Sequence, residues 1–289
     1  MSAPEIASHA LGITLFGPIQ VLIEGQPLPP LRSRKALWLL ALLTLRHNRL
    51  VERDWLAGIL WPDVDQTRAF SNLRPVVSEL RQALGSQAHR LQSPNRHTLC
   101  LDLTDATVDI RAFDTAIGSL NLSERERAVA LYTGPLLEGC AEEWVFQERE
   151  KRQQDCLQAL QVLGDSALEA GDYESATGYY QRTIGLDPWR ETARRGLMEA
   201  LARSGDRNAA LQIYRKYTEQ LREMPSISPD EETRALYNRL RAETSPKSPA
   251  HPVVATPASS PVVTGYLPHA LTELIGREEE RLEVAECLQ

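Results

Sequence analysis

Apolar positions along the chain first alternate, then fall into helical stripes, and finally thin out. Leu11 to Phe16 and Ile19 to Ile23 are short apolar runs parted by Gly17-Pro18 and closed by Glu24-Gly25-Gln26, which predicts a strand hairpin. Arg34 to His47 follows as a strongly apolar helix with Arg32, Arg34 and Lys35 clustered at its start. Arg53 to Leu60 makes a second helix, stopped by Trp61-Pro62-Asp63. A third runs from about Asp65 or Thr67 to Leu84, and Gly85 ends it. Arg90 to Leu103 then gives two short alternating runs around Ser93-Pro94-Asn95, a second hairpin. Beyond it the apolar spacing is helical as far as the segment Asp230 to Arg241, which is expected to cap the helical part.

The third helix has two distinct faces. Phe70, Leu73, Val77, Leu80 and Leu84 share one stripe, as a helix packed on a core requires. Opposite lie Arg68, Ser71, Pro75, Ser78 and Gln82, with Arg74 and Arg81 on one shoulder and Asn72 and Glu79 on the other. Arg pairs with guanine edges, Gln or Asn with adenine, and hydroxyls with bases or phosphates, so this face suits a major-groove reader. Taken alone it is equally an ordinary solvated surface. The hairpin placed directly after it reads as a wing, with Arg96 and His97 set to lie along a phosphate backbone or minor groove. Charge agrees with that choice. From His9 to Cys100 eleven Lys and Arg face six Asp and Glu, within a chain whose net charge is -7.

A repeat organises the second half. Ala170-Gly171-Asp172-Tyr173-Glu174-Ser175-Ala176 returns as Ser204-Gly205-Asp206-Arg207-Asn208-Ala209-Ala210, and Tyr180 returns as Tyr214, an offset of 34 residues. That is the period of tetratricopeptide helix pairs, which need Gly at the tight turn and a small residue where the helices close. Asp187-Pro188 is expected to open the next helix as N-cap and first residue. Trp144, Tyr173, Tyr179, Tyr180, Trp189, Tyr214 and Tyr217 supply aromatic packing, or part of a grooved docking surface.

Several short motifs together resemble the SARP/AfsR family of bacterial regulators. They are Leu31-Arg32-Ser33-Arg34-Lys35-Ala36, Leu60-Trp61-Pro62-Asp63, Asn72-Leu73-Arg74 with Ser78-Glu79-Leu80-Arg81, and Leu136-Leu137-Glu138-Gly139 with Glu143-Trp144 and Glu148-Arg149-Glu150. The resemblance implies a mainly α chain, with an OmpR-type winged helix-turn-helix domain carrying small β-hairpins over 11–103. A tetratricopeptide-like bacterial transcriptional activator domain would follow over 104–243. It also implies double-stranded promoter DNA with direct repeats as target, RNA polymerase holoenzyme as partner, and a homodimer as an option. The recognition helix would span about Thr67 to Leu84 and the wing Arg90 to Leu101. The candidate DNA-binding residues are Arg34, Lys35, Arg68, Ser71, Arg74, Ser78, Arg81, Gln82, Arg90, Asn95, Arg96 and His97. Two positions depart from the family pattern: Pro75 predicts a bend in the recognition helix, and Gln82 stands where a second basic residue is expected.

Enzyme chemistry is not expected of this chain. None of its four lysines follows a Gly in a phosphate-binding loop, and neither a HExxH nor a GxSxG pattern occurs. Its four cysteines are widely spaced, as in reduced cytoplasmic proteins. No metal or cofactor is expected, no run of apolar residues is long enough for a membrane span, and no secretory leader is apparent. Residues 1–10 read as disordered and the Ser/Pro-rich stretch 244–268 as a linker. Within 269–289, Leu274-Ile275-Gly276-Arg277-Glu278 resembles the approach to a STAND-type NTPase domain, so ATP is a cofactor only of a further C-terminal domain. Two rival readings stay open: a signalling adaptor whose winged part no longer binds DNA, and a sensor holding a small molecule between wing and repeats.

Overall fold

The computed structural model describes residues 10–222 and 228–244. The Ser/Pro-rich stretch after Thr244 and the Ile275-Gly276-Arg277-Glu278 motif lie outside the described residues.

The first hairpin forms as the alternation requires. β1 (Leu11–Thr14) pairs antiparallel with β2 (Gln20–Ile23), Leu11 opposite Ile23 and Thr14 opposite Gln20. Glu24 and Gly25 turn the chain into β3 (Gln26–Pro27), both at positive φ (51° and 79°), the conformation of a tight primed hairpin turn. α1 (Arg34–Leu45) starts at Ser33, whose hydroxyl accepts the Lys35 amide. Its residues Ala36 and Trp38 to Thr44 are buried, which makes it the central helix of the winged part. β4 (Val51–Glu52) leads directly into α2 (Arg53–Leu60). α3 (Gln66–Leu84) is capped by Asp65, whose carboxylate accepts the Arg68 amide, and it ends where Gly85 takes a positive φ of 52°. A 3-10 turn (Gly85–Arg90) then feeds the wing, β5 (Leu91–Gln92) and β6 (Thr98–Leu101). β4 joins them in a three-stranded sheet of order β4-β6-β5.

α3 runs unbroken through Pro75. Proline leaves the Ser71 carbonyl without its helical donor, but both residues are exposed, so water can take that place.

The segment after the wing closes back on the first sheet. β7 (Thr107–Val108) pairs parallel with β1, giving the order β3-β2-β1-β7. The chain continues into α4 (Asp109–Ile117), α5 (Leu122–Leu131) and the long α6 (Glu143–Ala170). The Asp109 carboxylate accepts the Leu15 and Phe16 amides at 2.8 Å each, Phe16 bridges to Leu136, and the Leu137 amide donates to Leu15. Phe16, Phe113 and Tyr132 pack with ring centres 5.0–6.2 Å apart. One hydrophobic core therefore runs from Leu11 to Leu163, across the boundary expected at residue 103.

The repeat folds as helix pairs. α6 meets α7 (Tyr173–Leu186) at Gly171 (φ 79°), and α8 (Glu191–Arg203) meets α9 (Arg207–Arg222) at Gly205 (φ 100°). Ala176 and Ala210 are fully buried, as the close approach demands. The aligned tyrosines differ in surroundings. Tyr180 is enclosed between Gly164 and Gly196 and donates to Asp165 at 2.7 Å, whereas Tyr214 stacks on Tyr237 of α10 (Glu231–Thr244) at 4.1 Å. α8 begins at Glu191, later than Asp187-Pro188 suggests, because the Asp187 carboxylate accepts the Trp189 amide and holds a turn there. Among the described residues no helix is long and apolar enough to cross a membrane.

Candidate nucleic-acid interface

α3 buries Ala69, Leu73, Val76, Val77, Leu80 and Leu84. Phe70 departs from the expected stripe: it is 40% exposed, at the edge of the packed face. Ser71, Arg74, Ser78 and Gln82 are exposed and spaced by three or four residues, so they form one open row along α3. The side chains of Arg74, Ser78 and Gln82 have no hydrogen-bond or ion-pair partner among the described residues, while the Ser71 hydroxyl donates to the Thr67 carbonyl. Arg68 lies at the open start of the helix, loosely paired with Asp65 at 3.4 Å. Glu79 points away from this role, because its carboxylate accepts the Arg32 and Ser33 amides ahead of α1.

Arg81 connects helix and wing. Its guanidinium, half-buried, donates to the Leu91 carbonyl and to the Ser93 hydroxyl at 2.7 Å. Arg53, at the start of α2, donates to the same hydroxyl at 2.9 Å. Two cations thus converge on one neutral acceptor, with no carboxylate paired to either among the described residues. Burial and the neighbouring Arg81 charge lower the Arg53 pKa, and its Nε is buried without a partner. Arg53 is not among the candidate DNA-binding residues read from the sequence; its place as the first residue of the second helix was the available signal. Asn95 shapes the wing tip by accepting the His97 and Thr98 amides at 2.8 and 2.9 Å, and exposed Arg96 donates to the His97 ring.

Two sequence-chosen cations are committed elsewhere. Lys35 is bound by both carboxylate oxygens of Glu142, at 2.8 and 3.0 Å, which neutralises it at the contact between α1 and the start of α6. Arg90 is buried and donates to Gln87 and to the Asp102 and Thr104 carbonyls, so it fastens the base of the wing and offers no open face. Arg34, by contrast, is exposed and unpaired among the described residues. The structure therefore gathers Arg68, Ser71, Arg74, Ser78 and Gln82 on one exposed helix face, joined to Asn95, Arg96 and His97 on the wing through Arg81. Among the described residues no group of His, Cys, Asp and Glu has the arrangement of a metal site.

Residues 112–241 match the bacterial transcriptional activator domain family. The chain is 25% identical to the regulatory protein AfsR of Streptomyces coelicolor, an alignment covering 99% of the chain and 30% of that protein. It is 24% identical to the transcriptional regulatory protein MoaR1 of Mycobacterium tuberculosis, over 80% of the chain and 79% of that protein. The solved structure of Mycobacterium tuberculosis EmbR in complex with a low-affinity phosphopeptide shares the fold, with a TM-score of 0.61 at 23% identity over 81% of this chain and 65% of that one. The chain thus spans under a third of the length of AfsR. Residues 112–241 thus carry a bacterial transcriptional activator domain, joined to a winged-helix scaffold, in a chain similar along most of its length to proteins that are themselves transcriptional regulators.

Proposed function

We propose that this regulator binds promoter DNA with α3 in the major groove and the wing along the adjacent backbone, and that it activates transcription by recruiting RNA polymerase. The observation that carries this reading is the unpartnered row Arg74, Ser78 and Gln82, continuous with a wing whose two supporting arginines lack a counter-ion. A guanidinium and an amide on one exposed helix face supply the bidentate donors that guanine and adenine edges accept. The uncompensated Arg53 and Arg81 pair, beside Arg96, suits a phosphate. Direct repeats would be bound by two copies, with the tetratricopeptide-like helices providing dimerisation, docking or signal coupling.

The test is retention of a genomic DNA fragment pool by the 289-residue chain at two salt concentrations, followed by sequencing. Enrichment of fragments sharing a short direct repeat, with affinity falling steeply as salt rises, is the expected result. A folded chain that retains no DNA at low salt overturns the reading and favours a protein-binding adaptor.

A further inference from the structure

An apolar crevice of about 410 Å³ opens between β2, the segment after β3 and the start of α1, away from the residues proposed to read bases. Its volume lies in the range of small-molecule sites. Ile19, Leu22, Leu28, Leu31 and Leu37 line it, and each is only half-buried: all but Leu22 rest on the core with part of their surface, which leaves the remainder to the crevice. The chain chemistry explains why the gap stays open. Pro27, Pro29 and Pro30 have no amide hydrogen, so of this segment only Leu28 donates to the sheet, to the Val21 carbonyl at 2.8 Å. Proline at successive positions also fixes φ and restricts the residue before it, which keeps the strap from folding down onto α1.

One charged side chain lines the crevice, and it is Arg34. Exposed and without an ion pair or hydrogen bond among the described residues, its guanidinium is free to receive an anion. The neighbouring acceptors are engaged by backbone amides: the Glu79 carboxylate accepts the Arg32 and Ser33 amides, and the neutral Ser33 hydroxyl accepts the Lys35 amide. An apolar trough with a single unpaired cation at its edge is complementary to an amphipathic carboxylate.

We infer that the crevice between the β2–β3 sheet, the proline strap and Arg34 binds a medium-chain or aryl carboxylic acid, its apolar body against Leu22 and Leu37 and its carboxylate on Arg34. Binding goes beyond the DNA-reading proposal and does not depend on it. Because Arg34 lies on the winged part, an occupied crevice would withdraw one cation from any DNA contact made there.

The experiment is calorimetric titration of the full 289-residue chain with sodium decanoate well below its micellar concentration, and with the uncharged 1-decanol as comparator. Saturable one-site binding of decanoate, at least fivefold tighter than 1-decanol, is expected. Arg34→Gln should abolish that preference while leaving 1-decanol binding and the circular dichroism spectrum unchanged. Leu37→Gln should weaken both ligands, and Leu22→Gln, on the opposite wall, serves where Leu37→Gln fails to fold. A folded chain that binds neither ligand overturns the inference. So does decanoate binding that survives Arg34→Gln, since the carboxylate would then sit elsewhere, as in nonspecific association of the alkyl chain.

Discussion

Arg74 and Arg81 are seven positions apart on one helix, yet their surroundings predict opposite consequences for the same substitution. Arg74 is exposed and makes no contact that its loss would break, so Arg74→Ala should alter folding stability by no more than about 0.5 kcal/mol. Arg81 holds two acceptors of the wing, the Leu91 carbonyl and the Ser93 hydroxyl, in a half-buried setting. At about 0.5–1.5 kcal/mol for each bond, part of which water recovers, Arg81→Ala should cost about 1–2 kcal/mol. DNA binding inverts the order of specificity. If Arg74 meets a base edge, its loss costs about 1–3 kcal/mol at one position of the site, roughly 5- to 150-fold in Kd, and relaxes preference there. Arg81→Ala should weaken all sequences alike, because a loosened wing and a lost phosphate contact carry no base identity. Urea unfolding gives the first quantity; fluorescence anisotropy on a selected site and its single-base variants gives the second. An Arg74→Ala protein with unchanged affinity and unchanged base preference would refute the placement of α3 as reader.

Three further outcomes follow from single contacts. Gly196→Ala drives a Cβ into the Tyr180 ring and should cost about 1–3 kcal/mol in urea unfolding, whereas Gly178→Ala, with nothing within 4 Å of its new Cβ, should be neutral or stabilising by up to about 1 kcal/mol. Arg53→Ala should lower the slope of log affinity against log salt by about one, with equal loss on every DNA sequence; an unchanged slope places Arg53 off the phosphates. Burial raises the Asp109 pKa above the ordinary value of 3.8, against the hydrogen bonds from Phe16, Leu15 and Ile110, which lower it. The folded state therefore holds that proton longer than the unfolded state, and this contribution, present below 3.8, is lost as pH rises through the folded pKa. Asp109→Asn removes the titration, so the stability of the variant relative to the parent should improve as pH rises through that window; a pH-independent difference counts against a raised pKa.

Sequence reasoning succeeded where local signals were redundant. α2 falls on Arg53–Leu60, as its apolar spacing and Trp61-Pro62 stop require, and the Gly171 and Gly205 turns lie at the 34-residue offset. It failed where a distant partner decided the matter. Nothing near Lys35 announces Glu142, which lies 107 residues away, and nothing near Arg90 announces that loop carbonyls will enclose its guanidinium. Phe70 illustrates a different limit: an ideal wheel assigns it to the apolar stripe, but the buried face also includes Ala69 and Val76, shifting its centre away from Phe70. Asp187-Pro188 carried a helix-start signal that the chain uses for a turn instead. Surface chemistry was legible as residue types on a face; which of those residues remain free required the fold.

The family motif in the second half, Leu136-Leu137-Glu138-Gly139 with Arg149, proves to join the two parts of the molecule. The Arg149 guanidinium donates to the carbonyls of Leu136, Leu137 and Cys140 at 2.9–3.1 Å, holding a turn in which Leu137 (φ 52°) and Gly139 (φ 80°) are left-handed. That turn extends the first sheet, since the Leu137 and Glu138 amides donate to Leu15 and Gly17 and the Gly17 amide donates to Pro135. Arg149 thus supports β1 through a segment of the helical part. Arg149→Ala removes the side-chain donor from three part-buried carbonyls, of which only Leu137 keeps another, the Cys140 amide, and should cost about 1–3 kcal/mol. Lysine should not restore it, because one ammonium cannot span acceptors laid out for a planar fork. If the shared core couples the parts, tryptophan fluorescence, with reporters on both sides of the join at Trp38 and Trp144, and far-ultraviolet circular dichroism will trace one urea transition, and Arg149→Ala will move it as a whole. Two resolved transitions, with only the later residues sensitive to Arg149, would mean that the winged part folds independently of the helices and that the motif serves the helical part alone.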